Sequence, residues 1–316
     1  MNIVSIINYK GGVGKTTISS NLAAELAYRG KKVLILDMDP QSSLTFSFVS
    51  PDYWRKHLKS KSIKNWFDCI RQNVPPIPLE ELIFAPRDVN KIVNKNGGQL
   101  DVIASNLELI NVDLDLAYLL GSTHLDYISV YGTLREELQN LMRDFKYDTV
   151  LIDCPPNFNI VTKNAIIASD QILIPSKADY LSILGIDYLC KSVEGLVIEY
   201  NNYAESNGVG AIYPAFLGIL FTMVQQKFAR PLATQRGYMK KTKQLNIPIF
   251  KSYIRQNNAV HAEAPEKNVP ICISPSYKFG NYVSVKELKN FVTELEKKQK
   301  ELAIELMEYS VVEDAY

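Results

Sequence analysis

The sequence predicts an α/β fold with a doubly wound, mostly parallel sheet and helices on both faces. Short apolar runs typical of buried strands recur along the chain, and stretches with helical spacing lie between them. The first strand, loop, helix and second strand also fit within residues 1–39, and such a βαβ unit makes its two strands parallel. Since no repeat or linker divides the chain, we expect a single domain at 1–316.

The first elements follow directly from the residue pattern. Residues 1–8 form an apolar run that ends at a glycine-rich turn, which predicts a buried strand. Residues 16–29 have helical spacing and stop at Gly30, a favourable residue after a helix end. Residues 31–39 predict the second strand. The basic and proline-rich stretch at 50–99 then interrupts the alternation and predicts a helical excursion from the sheet.

The rest of the chain returns to the alternation of strands and helices. Apolar runs predict strands at 100–106, 147–154, 171–176, 216–224 and 247–254. Helical spacing predicts helices at 133–145, at 181–203 and, as a C-terminal helix, at about 283–310.

Composition narrows the class of protein. Hydrophobic residues make up 47% of the sequence and charged residues 22%, as in ordinary globular proteins with a hydrophobic core. The net charge of +1 does not by itself point to any class of binding partner. A nucleic-acid-binding surface would therefore have to be a local basic patch. Cys69, Cys154, Cys190 and Cys272 form no C-x-x-C pair, which disfavours a zinc site or a disulfide framework. With no signal peptide and no membrane-spanning run, a cytoplasmic location is expected.

The octet KGGVGKTT at 10–17 predicts a loop that binds nucleotide phosphates. It departs from the pattern G-x-x-x-x-G-K-[ST] at the first position, which falls on Tyr9. Glycines still fill the turn, so backbone N–H groups can point at phosphate oxygens, and the positive end of the next helix assists. The residues expected to contact the nucleotide are Gly11, Gly12, Val13, Gly14, Lys15, Thr16 and Thr17.

Two side chains of this loop have distinct expected roles. Lys15 would reach the β- and γ-phosphates, and the Thr16 hydroxyl would bind Mg²⁺. A glycine turn can also join a strand to a helix without binding anything. The preceding strand and the following helix strongly favour the phosphate role here.

Three aspartates lie where predicted strands end. Asp37 and Asp39 end the second strand, and Asp153 ends a later one. In an open parallel sheet that edge is where ligands bind. A lone aspartate there is often a turn or capping residue, but three beside a phosphate loop favour metal and water roles.

The segments KGGVGKTT, DMDPQSS and LIDCPPN together resemble the ParA/MinD family of deviant Walker ATPases. The better match is with the ParA (Soj-like) partition branch, and weaker similarity continues at 174–186 and 261–280. The resemblance implies a deviant Walker P-loop NTPase fold. It also implies slow, partner-stimulated hydrolysis of ATP to ADP and phosphate.

The family pattern supplies a role for the first lysine of the octet, Lys10. Lys10 matches the signature lysine that reaches across an ATP-sandwiched homodimer to the ATP of the partner subunit. A cation delivered there stabilises the charge spread over the γ-phosphate. Without the surrounding octet, Lys10 would be interpreted as a solvent-exposed lysine at the end of a strand.

The resemblance also carries over the remaining site residues. Asp39 matches the carboxylate that positions or activates the attacking water, and Asp37 and Asp153 match the magnesium shell. Thr222 and Met223 match a strand-end pair near the adenine, with residues 254–258 as the opposite wall.

ParA-like ATPases bind DNA without sequence preference and move cargo over the nucleoid with a ParB-like adaptor. Residues 227–255 contain no Asp or Glu, as expected for a surface that follows phosphates. A solvated helix face is the alternative interpretation. The expected DNA-binding residues are Lys227, Arg230, Arg236, Lys240, Lys241, Lys243 and Arg255, with Lys251 in the same segment.

Two alternative functions stay open. An ATP-dependent scaffold could position a protein cargo and use 50–99 as its docking surface. A MinD-like membrane-associated ATPase is less favoured, because the acidic ending ELAIELMEYSVVEDAY would be repelled by an anionic bilayer. An iron–sulfur reductase of related sequence is disfavoured, since no cysteine lies in the glycine-rich setting that a bridged cluster needs.

Overall fold

The computed structural model describes residues 2–121, 127–257, 265–275 and 282–313. Its strands are β1 Ile3–Ile6, β2 Lys32–Asp37, β3 Ile83–Phe84, β4 Gln99–Ile103, β5 Thr149–Asp153, β6 Gln171–Lys177, β7 Ala215–Val224, β8 Gln226–Lys227, β9 Arg230–Pro231 and β10 Ile249–Arg255. Its α-helices are α1 Lys15–Tyr28, α2 Ser43–Phe46, α3 Pro51–His57, α4 Ile63–Arg71, α5 Arg87–Val93, α6 Leu109–Gly121, α7 Tyr127–Tyr131, α8 Thr133–Phe145, α9 Ile160–Ala168, α10 Tyr180–Ser206, α11 Ala233–Thr242 and α12 Tyr282–Glu313.

Eight of these strands form one sheet, in the order β10-β7-β6-β1-β5-β2-β4-β3. Each neighbouring pair is parallel except β3 with β4. The chain leaves β1 toward β2 on one side and passes from β5 to β6 on the other. The connections therefore diverge at β1, and ligands of open α/β sheets bind at the carboxyl end of such a switch point.

Helices cover both faces of this sheet. Successive residues of β2 alternate between two apolar clusters, with Leu34 and Leu36 in one and Val33 and Ile35 in the other. Helices α1, α5 and α12 contribute to the second cluster, and α4, α6, α8, α9 and α10 contribute to the first. The predicted fold class, a doubly wound and mostly parallel α/β sheet, is confirmed.

The segment at 50–99 has two differently attached parts. In α4, Trp66 and Phe67 are fully buried in the same apolar cluster as β1, β2 and β5, with their rings 5.0 Å apart. The short strand β3 adds an antiparallel edge beside β4. By contrast, α3 has no buried residue and lies on the surface. The excursion thus joins the main core through α4 and leaves α3 exposed.

The C-terminal helix α12 packs against α1 and β10. Arg29, which follows α1, forms ion pairs with Glu296 of α12 at 2.7 Å and with Glu25 at 3.0 Å. In the described part of the chain no helix combines the length and apolar character needed to cross a bilayer. Some residues that entered the sequence predictions lie outside the described ones: 258, 261–264, 276–280 and 314–316.

Candidate nucleotide site and basic surface

The loop between β1 and α1 has the backbone of an anion-binding turn. Gly12 and Gly14 have φ angles of +64° and +84°, a region that side chains other than glycine rarely adopt. A Cβ atom added at Gly11, Gly12 or Gly14 would meet no protein atom within 4 Å. Glycine is therefore required by backbone conformation, and the space beside the loop is open for a ligand at the N-terminus of α1.

Lys15 is buried at the start of α1. Its Nζ donates to the Asn8 carbonyl at 3.1 Å, and none of the ion pairs found in the described residues involves it. Burial lowers the pKa of Lys15, while Asp153 and Asp39 act in the opposite direction. A buried ammonium group that lacks a bonded carboxylate favours a bound anion.

Asp153, at the end of β5, accepts hydrogen bonds on both carboxylate oxygens. The Thr16 hydroxyl donates to Oδ2 at 2.8 Å, and the Ser19 hydroxyl donates to Oδ1 at 2.7 Å. Burial raises the pKa of Asp153 to about 6, although these two hydroxyls and Lys15 lower it. Ser19 was missed from the sequence, where nothing but its place one helical turn after Lys15 marks it.

Asp37 lies beside Asp153, because β2 and β5 pair these two residues in register. Its Oδ2 accepts from the backbone N–H and the hydroxyl of Thr45 at 2.8 and 2.7 Å. Burial, reinforced by the nearby Asp153, raises the pKa of Asp37 to about 8. Two adjacent buried carboxylates resist joint ionisation, and a divalent cation would relieve them.

The donor set fits magnesium bound with nucleotide. Among the described residues no three His, Cys, Asp or Glu side chains cluster as an all-protein metal site. Magnesium usually keeps several waters and binds through one or two carboxylates together with substrate phosphates. The Thr16 hydroxyl and the buried Asp37 and Asp153 carboxylates, next to the open loop, match that pattern.

Asp39 is partly exposed and held from several sides. Its N–H donates to Asp37 Oδ1 at 3.2 Å, and its Oδ1 accepts from the Gln41 N–H at 2.9 Å. Its carbonyl oxygen accepts from the Ser42 N–H at 2.9 Å and from the Ser105 hydroxyl at 2.7 Å. Ser105 is fully buried and follows the end of β4, and no sequence pattern marks it.

Lys10 points toward α10. Its Nζ donates to both oxygens of Asp179, at 3.0 and 2.9 Å, and to the Ser182 hydroxyl at 3.1 Å. Asp179 also caps α10 by accepting from the Ser182 N–H at 2.8 Å. Burial alone would raise the pKa of Asp179, but the bonds from Lys10 and Ser182 outweigh it and the pKa is lowered. Lys10 thus has an acidic partner within its own chain.

Thr222 and Met223 lie at the carboxyl end of β7. The Thr222 hydroxyl donates to the Val13 carbonyl at 2.7 Å and so supports the phosphate loop from behind. Met223 has a φ of +51°. Beyond this pair, a pocket of about 630 Å³ opens between the ends of β7 and β10, and Gln225, Gln256 and Asn257 are among its lining residues. This volume lies within the range of small-molecule binding sites.

The basic segment forms the β8–β9 hairpin, α11 and β10. In the described part of the chain no carboxylate forms an ion pair with its exposed cations, which are Lys227, Arg230, Arg236, Lys240, Lys241, Lys243 and Lys251. Arg255 differs, since it is half-buried, ion-paired with Glu287 and bonded to Gln226 at 3.2 Å. At the hairpin tip, Phe228 is 88% exposed and lies near the Lys227 ammonium. An exposed aromatic ring among cations is a common feature of nucleic-acid surfaces.

Comparisons with known proteins identify relatives of this chain. A family profile described as an AAA domain matches residues 1–205. Sporulation initiation inhibitor protein Soj of Bacillus subtilis is 28% identical over 272 residues, which cover 86% of this chain and 90% of Soj. Chromosome partitioning protein ParA of Caulobacter vibrioides is 28% identical over 209 residues, covering 66% of this chain and 68% of that protein. An uncharacterized protein of Methanocaldococcus jannaschii is 31% identical over 279 residues, covering 85% of this chain and 90% of that protein.

Solved structures share the fold. Apo McdA of Cyanothece aligns with a TM-score of 0.67 at 21% identity, covering 93% of this chain and 99% of that one. A putative plasmid partition protein of Borrelia burgdorferi, bound to AMPPNP, aligns with a TM-score of 0.63 at 23% identity, covering 94% and 99%. Because the family profile spans more than half of the sequence and the relatives above include Soj and ParA, the chain belongs to the ParA-like family of partition ATPases.

Proposed function

We propose that this protein is a Mg²⁺-dependent ATPase that forms an ATP-sandwiched homodimer and binds DNA without sequence preference. It would position plasmid or chromosome cargo with a ParB-like partner, in the cytoplasm and on the nucleoid. The main supporting observation is Lys15. Its buried ammonium lies beside the open glycine loop, and no carboxylate of the described residues forms an ion pair with it. The names of the relatives, partition proteins among them, support the cellular role.

Each site residue would have a definite task in hydrolysis. Bound magnesium would supply positive charge at the phosphates. Lys15 and the loop N–H groups would hold the phosphates, Thr16 would bind the metal directly, and Asp37 and Asp153 would hold its water shell. Asp39 would orient the attacking water.

Lys10 would complete the site of the partner subunit. It must first leave Asp179 and Ser182, which bind it within its own chain. Dimerisation therefore exchanges one ion pair for a contact with the partner's nucleotide. Hydrolysis and dimerisation become coupled, because neither site is complete alone.

The first test is binding to a long duplex of arbitrary sequence with ATP, with ADP and without nucleotide, over a salt series. We expect binding with ATP alone, weakening steeply with salt. Lys10→Ala should abolish ATP-dependent dimerisation and DNA binding, while Lys300→Ala, an exposed lysine on α12, should change neither. A wild-type chain that dimerises on ATP but ignores DNA would contradict the proposal.

A protein-positioning scaffold is the second candidate, and one surface favours it. Leu107, Ile110 and Leu114, at helical spacing on and before α6, are 61%, 59% and 73% exposed. Contiguous apolar side chains of this kind often mark protein docking. On this reading, Leu114→Lys would abolish capture of the cargo protein and leave ATP-dependent DNA binding intact, as measured by co-purification beside the DNA assay.

A further inference from the structure

One buried residue, Ser105, connects the candidate nucleotide site with the surface helix α3. Ser105 is fully buried, and its hydroxyl donates to the Asp39 carbonyl at 2.7 Å. Its own carbonyl accepts from the Trp54 indole Nε1–H of α3 at 3.0 Å. A single residue therefore contacts both the backbone of Asp39 and the exposed helix.

The same residue also contacts the metal side of the site. The Ser105 N–H donates to the Thr45 hydroxyl at 3.0 Å, and that hydroxyl donates to Asp37 Oδ2 at 2.7 Å. Ser105 thus uses its N–H, hydroxyl and carbonyl in three directions. In a buried network of this kind, each member fixes the orientation of the next.

Trp54 is the residue through which helix α3 meets this strand end, by its bond to Ser105 and by packing against Ala104 and its apolar neighbours. The helix has no buried residue, and the Trp54 ring packs edge-on against Phe46 at 5.9 Å. Neighbouring bonds tie the following loop to the same strand end: Asn106 Nδ2 donates to the Lys59 carbonyl at 3.1 Å, and the Ile63 N–H donates to the Ala104 carbonyl at 2.9 Å. A displacement of α3 would therefore be transmitted to the Ser105 peptide through this bond.

We propose that Ser105 is a positioning residue for Asp39 and that, through Trp54, the placement of α3 sets the rate of ATP hydrolysis. The inference rests on the proposed role of Asp39 in orienting water. Asp39 keeps the Gln41 and Ser42 bonds without Ser105, so nucleotide binding remains possible. What is lost is the alignment of its carboxylate, and small misplacements of a positioning group lower the rate steeply.

The experiment compares Ser105→Ala and Trp54→Phe with matched controls in the full chain. Ser105→Ala removes one hydroxyl donor, and Trp54→Phe removes the indole N–H while keeping an aromatic ring. Ser47→Ala is the hydroxyl control, since Ser47 donates to Ser43 on the surface nearby. Trp66→Phe is the indole control, because Trp66 Nε1 has no hydrogen-bond partner among the described residues.

We expect the single-turnover hydrolysis rate to fall about tenfold in Ser105→Ala and about threefold in Trp54→Phe, with the ATP dissociation constant within about twofold of wild type. Both controls should keep the wild-type rate. A wild-type rate in folded Ser105→Ala would overturn the inference. So would a loss of rate matched by an equal loss of ATP affinity, which would indicate general damage to the site.

Tryptophan fluorescence gives a readout that needs no hydrolysis. The chain has two tryptophans, Trp54 and Trp66, so subtracting the Trp54→Phe spectrum from wild type isolates Trp54. ATP with Mg²⁺ should change the Trp54 emission, and Ser105→Ala should remove that response. An identical Trp54 spectrum with and without nucleotide would overturn the connection. If the wild type binds ATP without hydrolysing it, the ATPase proposal fails and this spectrum still decides the connection.

Discussion

Lysines occupy two contrasting environments in this molecule. Lys15 is buried, has a lowered pKa and points into a loop whose backbone is fixed by glycines. Lys240 and Lys241 lie exposed on α11, and no carboxylate of the described residues forms an ion pair with them. A buried charge depends on one ligand in one geometry, whereas exposed charges add together and tolerate rearrangement. The difference predicts very different responses to mutation.

The largest effect is expected at the buried lysine. Lys15→Ala should weaken ATP binding about a hundredfold or more, because the phosphates lose their enclosed cation. Isothermal titration with a non-hydrolysable ATP analogue measures this. Wild-type affinity for the analogue in a folded Lys15→Ala variant would show that the loop at 10–17 does not bind the phosphates. Lys31→Ala serves as a control for the loss of one positive charge.

The exposed pair should respond moderately and with a different signature. Lys240→Ala with Lys241→Ala should weaken ATP-dependent DNA binding about tenfold, and should reduce the slope of log affinity against log salt by about 2. Fluorescence anisotropy over a salt series provides both numbers. The matched control is Lys297→Ala with Lys300→Ala, which removes the same charge from α12. An equal loss in both double variants would show that only net charge matters.

Stability should depend on pH through the buried carboxylates. The pKa values of Asp37 and Asp153 are raised to about 8 and about 6, from about 4 in an unfolded chain. Their protonated forms are favoured by folding, so this contribution is complete below about pH 4 and is lost as pH rises through 6 and 8. The melting temperature without nucleotide should fall over this range, and less so in Asp37→Asn. Parallel curves for both proteins would contradict this.

The smallest effect on DNA binding is expected at Arg255. Its guanidinium already binds Glu287, so Arg255→Ala should change DNA affinity less than about twofold. The variant should instead lower the melting temperature, since Glu287 is left partly buried without its partner. If Arg255→Ala weakened DNA binding as much as the Lys240 and Lys241 double variant, Arg255 would be a DNA-contacting residue after all.

Sequence patterns predicted the parts of the fold that depend on neighbours along the chain. The octet at 10–17 carries its own glycines, and the predicted helix 133–145 coincides with α8. The strand β3 escaped notice because two residues, Ile83 and Phe84, hold no period of their own and become a strand only beside β4. Helices and long strands can be predicted from the residues within them, whereas a short edge strand forms only by pairing with its neighbour.

The site residues that sequence reasoning missed are joined across long separations. Ser19 meets Asp153 from 134 residues away, and Lys10 meets Asp179 from 169 residues away. Serine is common in every class of secondary structure, so the residue type alone does not predict a hydrogen bond to a distant aspartate. The pairing of Arg255 with Glu287 was likewise invisible, because their contact depends on how α12 packs against β10.

The pairing of Asp37 with Asp153 across neighbouring strands has a consequence for how long a molecule survives in the cell. Without a ligand, ionising both of these buried carboxylates costs free energy, so unliganded molecules are expected to be the first to open and to meet a protease. A ligand that binds only the folded form, present at a hundred times its dissociation constant, adds about 2.7 kcal/mol of stability. Occupied molecules would therefore outlive empty ones, and the cellular pool would be enriched in those ready to act.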